Sequence, residues 1–185
     1  MKVIPTAIPE VVLIEPKVFG DDRGFFFESF NRRQFAEATG RDVDFVQDNH
    51  SRSVQGVLRG IHYQIQHAQG KLVRVVAGSV YDVAVDLRKS SPTFGQYVAE
   101  ILNAENKRML WVPEGFGHAF LVLSASAQFL YKTTDYYTPE AERCIAWDDP
   151  TLAIDWPLDQ LGSATVQLSA KDRQGLKFPE ADVYQ

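Results

Sequence analysis

Between Val80 and Leu87 apolar and polar positions alternate with the two-residue period of a β-strand. Val80, Asp82, Ala84 and Asp86 fall on one face, and Tyr81, Val83, Val85 and Leu87 on the other. Phe129, Tyr131, Thr133 and Asp135 share a face in the same way. From about Val43 onward the pattern is β. Turn signals at Lys89–Pro92, Asn103–Asn106 and Ser124–Ser126 separate the runs at the spacing of a barrel. Before that region Val11–Ile14 reads as a short apolar strand and Asp21–Gly24 as a turn. Phe25–Phe30 reads as a strand edge or an aromatic wall. Asn31–Gly40 is the clearest helix, with Asn31 as N-cap, Gln34 three residues on and Gly40 as terminator. After Asp148 the pattern is irregular, with Trp156-Pro157 and then a short helix starting at Ser169.

The 185 residues show no repeat, linker or low-complexity tract, so one domain spanning 1–185 is expected. Aromatic residues make up 12% of the chain, which suits strands. The net charge is −5 and no basic stripe is visible, which argues against a nucleic-acid partner. Cys144 is the single cysteine, so no internal disulfide can form and a reducing cytoplasm fits. Pro5, Pro9 and Pro16 interrupt the apolar N-terminal stretch, leaving neither a signal-peptide core nor a membrane span.

Two segments carry the candidate chemistry. Leu58–Val85 brings His62 and Lys71 to the mouth of a run of strands. Val112–Leu123 contains Pro113-x-Gly115-x-x-His118, the spacing found at one strand turn of small jelly-roll barrels of the cupin type. Such barrels often hold a metal, ligated by two histidines, a glutamate and a third histidine. Counting back from Gly78, the glutamate position is Lys71 and the histidine pair is Ile65 and His67, so only His67 and His118 survive. An ammonium and an alkyl chain do not replace a carboxylate and an imidazole, and no metal is expected.

Without a metal, a fixed ammonium such as Lys71 can stabilise negative charge developing on an oxygen. The plain alternative is a surface lysine at a strand start. His62 can take a proton at neutral pH, or be a hydrogen-bonded core histidine. Tyr131, in FLYKTT, either packs or donates a proton. Asp172 closes Ser169-Ala170-Lys171-Asp172, which has capping-box spacing; a carboxylate orienting a histidine is the sharper reading. Arg23, Arg59 and Lys171 are either solvated or suited to phosphate. The Gln47-Asp48-Asn49-His50 run could read a nucleobase edge or be a polar loop.

These residues lie in blocks that occur in a fixed order. PKVFGDDRGFFFESF (16–30), FVQDNHS (45–51), VLRGIHYQ (57–64), AQGKLVRV (68–75), VYDVAVDLRKSSPTFGQ (80–96), LWVPEGFGHAF (110–120), FLYKTTDYY (129–137) and LSAKD (168–172) closely resemble the dTDP-4-dehydrorhamnose 3,5-epimerase family. The likeness covers about the first 172 residues. It implies an all-β, cupin-type jelly roll with a short helix in its N-terminal half, free of metal and cofactor, acting on a dTDP-linked 4-keto-6-deoxyhexose. By resemblance His62 is the base, Asp172 its orienting partner, Tyr131 the acid on the opposite face and Lys71 the contact to the C4 keto oxygen. Arg23, Glu28, Gln47, Asp48, Asn49, Arg59, His118, Glu142 and Lys171 match positions lining the family's nucleotide-sugar site. The chain is one residue shorter than some relatives between Gln64 and Lys71. It is longer between Trp156 and Leu168, which leaves the approach of the Asp172 segment open.

The resemblance further implies a cytoplasmic homodimer, with the apolar N-terminal strand as the segment expected to cross between subunits. Two rivals follow from the same residues. One is a related epimerase that inverts a single carbon. The other is a non-catalytic cupin that only binds a nucleotide sugar.

Overall fold

The structure is a computed structural model describing residues 1–185. Thirteen strands follow in order: β1 (Lys2–Ile4), β2 (Val12–Glu15), β3 (Phe19–Asp21), β4 (Gly24–Phe26), β5 (Gln47–Val54), β6 (Leu58–Gln64), β7 (Lys71–Ala77), β8 (Ser79–Asp86), β9 (Tyr97–Asn103), β10 (Met109–Val112), β11 (Phe116–Val122), β12 (Ser126–Thr133) and β13 (Glu142–Cys144). The single α-helix, α1, is Arg32–Thr39. A six-stranded sheet runs β1-β2-β10-β7-β12-β5, and a five-stranded sheet runs β13-β6-β11-β8-β9. The two pack face to face as a cupin-type jelly roll, and β3–β4 forms a separate hairpin.

The alternation along β8 is real, but both of its faces are buried. Val80 and Ala84 point into the interior between the sheets with Val73, Val75, Leu110, Phe120 and Phe129. Val83, Val85 and Leu87 point the other way, onto Leu152, Trp156, Leu161, Phe178 and Val183. The irregular last third is therefore a cover for the outer face of the five-stranded sheet. Three isolated parallel bridges, Val57↔Gln167, Arg88↔Tyr184 and Ile145↔Leu176, stitch it to the barrel.

The opposite outer face is covered by α1. Asn31 Oδ1 accepts the Gln34 amide at 3.2 Å and Gly40, at φ 69°, ends the helix, as the capping pattern requires. Phe35 plugs onto Val12, Ile14, Leu72, Met109 and Trp111, with Phe45 edge-on and Phe30 tilted against it. Burying a side chain of that size contributes about 1.5–3 kcal/mol. No helix is long and apolar enough to cross a membrane.

Two expectations change. The Gln47–His50 run is not a polar loop but the start of β5, an edge strand on which these four residues alternate between half-buried and exposed. Phe25 and Phe26 belong to the β3–β4 hairpin and are exposed, whereas Phe30 is the aromatic wall. Within the chain β2 pairs β1 on one side and β10 on the other, and its apolar residues fill the six-stranded sheet's core.

Candidate active site

A cavity of about 630 Å³ opens between the two sheets. Strand parity decides which side chains reach it. On β6, Ile61 and Tyr63 pack under the C-terminal cover, which turns His62 and Gln64 inward; a register shift against β11 between His118 and Phe120 puts Arg59 on the cavity side as well. On β12, Phe129 and Tyr131 face inward, and on β11 His118 and Phe120 do so. Lys71 enters from the start of β7, Glu142 from β13, and Ser169, Lys171 and Asp172 from the C-terminal segment.

β6 approaches β11 too closely for a side chain at Gly60. A Cβ there would lie 2.6 Å from both the Ala119 Cβ and the His118 carbonyl, and φ is +118°. The Gly60 amide is thereby turned toward Asp172 Oδ1, to which it donates at 3.0 Å.

His62 Nε2 lies 2.7 Å from Asp172 Oδ1. Asp172 Oδ2 accepts from the Ser169 amide at 3.1 Å and the Ser169 hydroxyl at 2.5 Å, while the Asp172 amide donates back to Ser169 Oγ at 3.2 Å. The two readings of Asp172 are thus both realised. One oxygen closes the capping box of a short 3₁₀ turn, Asp172–Gln174, in place of the expected helix, and the other holds the imidazole. Burial pushes this carboxyl upward, but the bonds from His62, Ser169 and Gly60 outweigh it and hold it well below the ordinary carboxylate range. His62 Nδ1 is buried and has no hydrogen-bond partner; the nearest carboxylate oxygen is Glu142 Oε1, at 3.7 Å. With Nε2–H donated to Asp172, Nδ1 presents the free lone pair.

Lys71 is not a surface lysine. Its ammonium is desolvated, which lowers its pKa to about 8 against the opposing charges of Asp82 and Glu142. Burial raises the Tyr131 phenol, so it keeps its proton at neutral pH. His118 is buried, with Nε2 at 3.0 Å from each oxygen of the fully buried Asp82. At the mouth, Glu142 Oε2 accepts from Lys171 Nζ at 2.6 Å and from the Tyr137 hydroxyl at 2.9 Å. Burial raises the Glu142 carboxyl, but these bonds leave it lowered. Arg59 is exposed at the rim and donates to Ser53 Oγ at 3.2 Å.

The cavity brings together His62, Lys71, Tyr131, Asp172, Asn49, Arg59, His118, Glu142 and Lys171. It leaves out four expected residues. Gln47 lies on β5 beside it, bonded to Asn49 and to the Tyr137 amide. Asp48 points to the other side of β5, where it pairs with Lys132 at 2.9 Å. Arg23 is 89% exposed on the β3–β4 hairpin and bonded to Asp21. Glu28 takes amide donors from Asn31 and Gln34 near α1. Sequence reasoning missed Asp82, Gln64, Tyr137 and Ser169. Asp82 stood on the strand face with Val80, but nothing in its neighbourhood announced a histidine partner.

His67, one of the two surviving ligand-type histidines, is exposed beside Asp135 and does not line the cavity. The only grouping of three metal-type donors is His62, Cys144 and Asp172, whose donor atoms lie within 4.8 Å of one another. Asp172 is already occupied by four donors. Burial, with the Asp172 and Glu142 charges, pushes the Cys144 thiol up to about 12, so it offers no thiolate. That donor set does not fit a resident metal.

A jelly-roll barrel with an imidazole–carboxylate pair, a lysine and a protonated tyrosine in one cavity defines an isomerase of the cupin class. The sequence model described as dTDP-4-dehydrorhamnose 3,5-epimerase matches residues 5–180. The chain belongs to the dTDP-4-dehydrorhamnose 3,5-epimerase family. A relative of that name from Pseudomonas aeruginosa is 64% identical over 184 residues, covering 100% of this chain and 99% of its own length. A crystal structure of dTDP-6-deoxy-D-glucose-3,5-epimerase from Legionella pneumophila, in complex with dTDP-4-keto-L-rhamnose, superposes with a TM-score of 0.94 at 56% identity, covering 98% of this chain and 94% of the other. A 3′-monoepimerase from Streptomyces bikiniensis, in complex with dTDP-quinovose, superposes at 0.86 with 34% identity, covering 95% of this chain and 87% of the other.

Proposed function

We propose that this chain inverts C3 and C5 of dTDP-4-dehydro-6-deoxy-D-glucose to give dTDP-4-dehydro-L-rhamnose, as one domain spanning residues 1–185. The observation that carries the reading is His62, with Nε2 tied to Asp172 and Nδ1 buried and unpartnered in the same cavity as Lys71 and Tyr131. Protons at C3 and C5 are acidic because they flank the C4 ketone. His62 Nδ1 removes one, and the imidazolium that forms is stabilised by Asp172. Charge developing on the C4 oxygen is balanced by Lys71. Tyr131 returns a proton from the opposite face and inverts the carbon. The ketone is the electron sink, so the reaction needs no added redox group.

Arg59, His118, Asn49, Gln47, Glu142 and Lys171 bind the nucleotide sugar, whose remote contacts hold the ring in register. The enzyme works as a homodimer in the cytoplasm. Arg23, Glu28 and Asp48 lie outside the cavity of their own chain, Arg23 on the hairpin whose Phe19, Phe25 and Phe26 are exposed. That arrangement supports an association in which a second copy covers the hairpin and these residues act across the interface. The 64% identity to a 3,5-epimerase against 34% to a monoepimerase favours inversion at two carbons over one. Proton NMR of the product formed in deuterium oxide tests the reading. Deuterium and inversion are expected at both C3 and C5. Label and inversion at one carbon alone would identify a monoepimerase, and no label at either would leave a binding protein.

A further inference from the structure

Gln64 lies two residues beyond His62 on β6 and is 3% exposed. Its side-chain amide is saturated, and its partners bracket one residue. Nε2 donates to the Tyr136 carbonyl at 3.2 Å and to the His67 carbonyl at 2.7 Å. Oε1 accepts the Thr138 amide at 2.7 Å. The residue between those two anchors is Tyr137. A third tie comes from outside, where the Tyr137 amide donates to Gln47 Oε1 at 3.2 Å.

Tyr137 stands at the cavity mouth on a segment that belongs to no strand, between the end of β12 and the start of β13. The residue is 45% exposed, while its hydroxyl bonds Glu142 and Lys171. Those bonds hold only the tip of the side chain, and the base of the ring is placed by the backbone on either side. Gln64 is itself held from behind, since its carbonyl accepts the Tyr184 hydroxyl of the C-terminal tail at 2.5 Å.

We propose that Gln64 is a positioning residue, whose amide fixes the backbone on both sides of Tyr137 and so sets the aromatic wall of the nucleotide-sugar mouth relative to the His62 strand. The inference rests on the epimerase reading only for the identity of the ligand. β6 thereby carries two devices: the base, and the peg that registers the mouth against it. Gln64 lines the cavity, but its side-chain N–H groups are spent on backbone carbonyls, so its loss should weaken ligand binding through Tyr137 and leave the chemical step largely intact.

The test combines a ligand-free measurement with a binding cycle on the full chain. Amide hydrogen exchange at Thr138 reads the peg directly, because that amide donates to Gln64 Oε1. In Gln64→Ala its exchange should quicken about tenfold or more, as expected when one buried hydrogen bond opens. The cycle measures dTDP affinity by calorimetry for Gln64→Ala, Tyr137→Ala and the double variant. Each single change should weaken dTDP about tenfold, and the double should be no weaker than Tyr137→Ala alone, since coupled residues are not additive. Unchanged Thr138 exchange would overturn the proposal with or without a ligand, and so would additive losses in the cycle. Should Gln64→Ala fail to fold, Gln64→Glu keeps the acceptor for Thr138 and loses the donors to Tyr136 and His67. It should then weaken dTDP while Thr138 stays protected, and unaltered affinity would count against the proposal. Wild type that fails to bind dTDP, with Thr138 exchange still dependent on Gln64, would overturn the functional reading and leave the peg standing.

Discussion

The cavity holds two histidine–aspartate pairs that differ in what surrounds the carboxylate. Asp172 accepts from four donors: the His62 ring, the Gly60 amide, and the Ser169 amide and hydroxyl. Asp82 accepts from His118 alone, with 3.0 Å to each oxygen, and has no exposed surface. A saturated carboxylate survives the loss of one partner. A carboxylate with a single partner is stranded when that partner goes, and an uncompensated buried charge is costly. The difference separates two jobs. Asp172 is a rigid mount on which the base can change its charge without disturbing the fold. Asp82 is a charge buried for what it does to its neighbours, His118 by contact and Lys71 through the field.

The largest contrast should appear between His62→Ala and His118→Ala. Losing the base should lower turnover by ~10²–10⁴-fold. Asp172 keeps three donors, so the melting temperature should barely move. His118→Ala strands Asp82, and the expected cost is stability, about 3–5 kcal/mol in chemical denaturation. Adding Asp82→Asn to His118→Ala should recover part of it. Equal loss of stability in the two alanine variants would erase the distinction between the pairs.

Tyr131→Phe asks whether the His62 pair acts from one face alone. The substitution removes one hydroxyl and keeps the ring packed against Phe129. Deuterium should still wash into substrate, while inversion falls by ~10²-fold or more, the usual worth of a positioned acid. Exchange and inversion lost together would mean that Tyr131 also helps to form the enolate.

The barrel and its helix were legible because period and caps speak locally: Val80–Leu87 alternates, and Asn31 and Gly40 bound α1. His62 and Asp172 are 110 residues apart, and nothing local joins them. They were reached through family resemblance, while Ser169-x-x-Asp172 by itself pointed only to a cap. The capping box is present and is the means by which Asp172 is aimed. Asp82 was hidden because an acidic residue in an alternating strand reads as a solvent-facing position. Both faces of β8 are covered here, one of them by a C-terminal segment with no periodic signal. Arg23 and Glu28 carried the resemblance, yet one folds onto a hairpin and the other against the start of α1, both away from their own cavity, which no spacing rule foretells.

The third contrast is in pH. Lys71 is lowered to about 8 by burial, with Asp82 and then Glu142 opposing the shift. If Lys71 balances the enolate as an ammonium, kcat should fall as pH rises through about 8, roughly tenfold per unit beyond it. Asp82→Asn removes a charge that favours the ammonium, so the fall should begin at lower pH. Asp172→Asn should lower kcat across the range and leave that limb in place. His62, Glu142, His118 and Tyr131 line the same cavity, so the limb should also be followed in Lys71→Arg, where it should disappear. A limb that shifts equally in both asparagine variants would show that it does not belong to Lys71.

The smallest effect tests how redundant the Asp172 mount is. Ser169→Ala deletes the 2.5 Å hydroxyl bond but keeps the Ser169 amide, the Gly60 amide and His62 on the carboxylate. It also leaves the Asp172 amide without its cap acceptor. One hydrogen bond to a charged group contributes about 1.5–3 kcal/mol, and three remaining donors share the load, so stability should fall by about 1 kcal/mol. Turnover should drop about threefold, because the imidazole stays held at Nε2 while the carboxylate loses part of its orientation. A loss approaching that of Asp172→Asn would show that the hydroxyl aims the carboxylate. The mount would then be no more redundant than Asp82, whose oxygens depend on one imidazole.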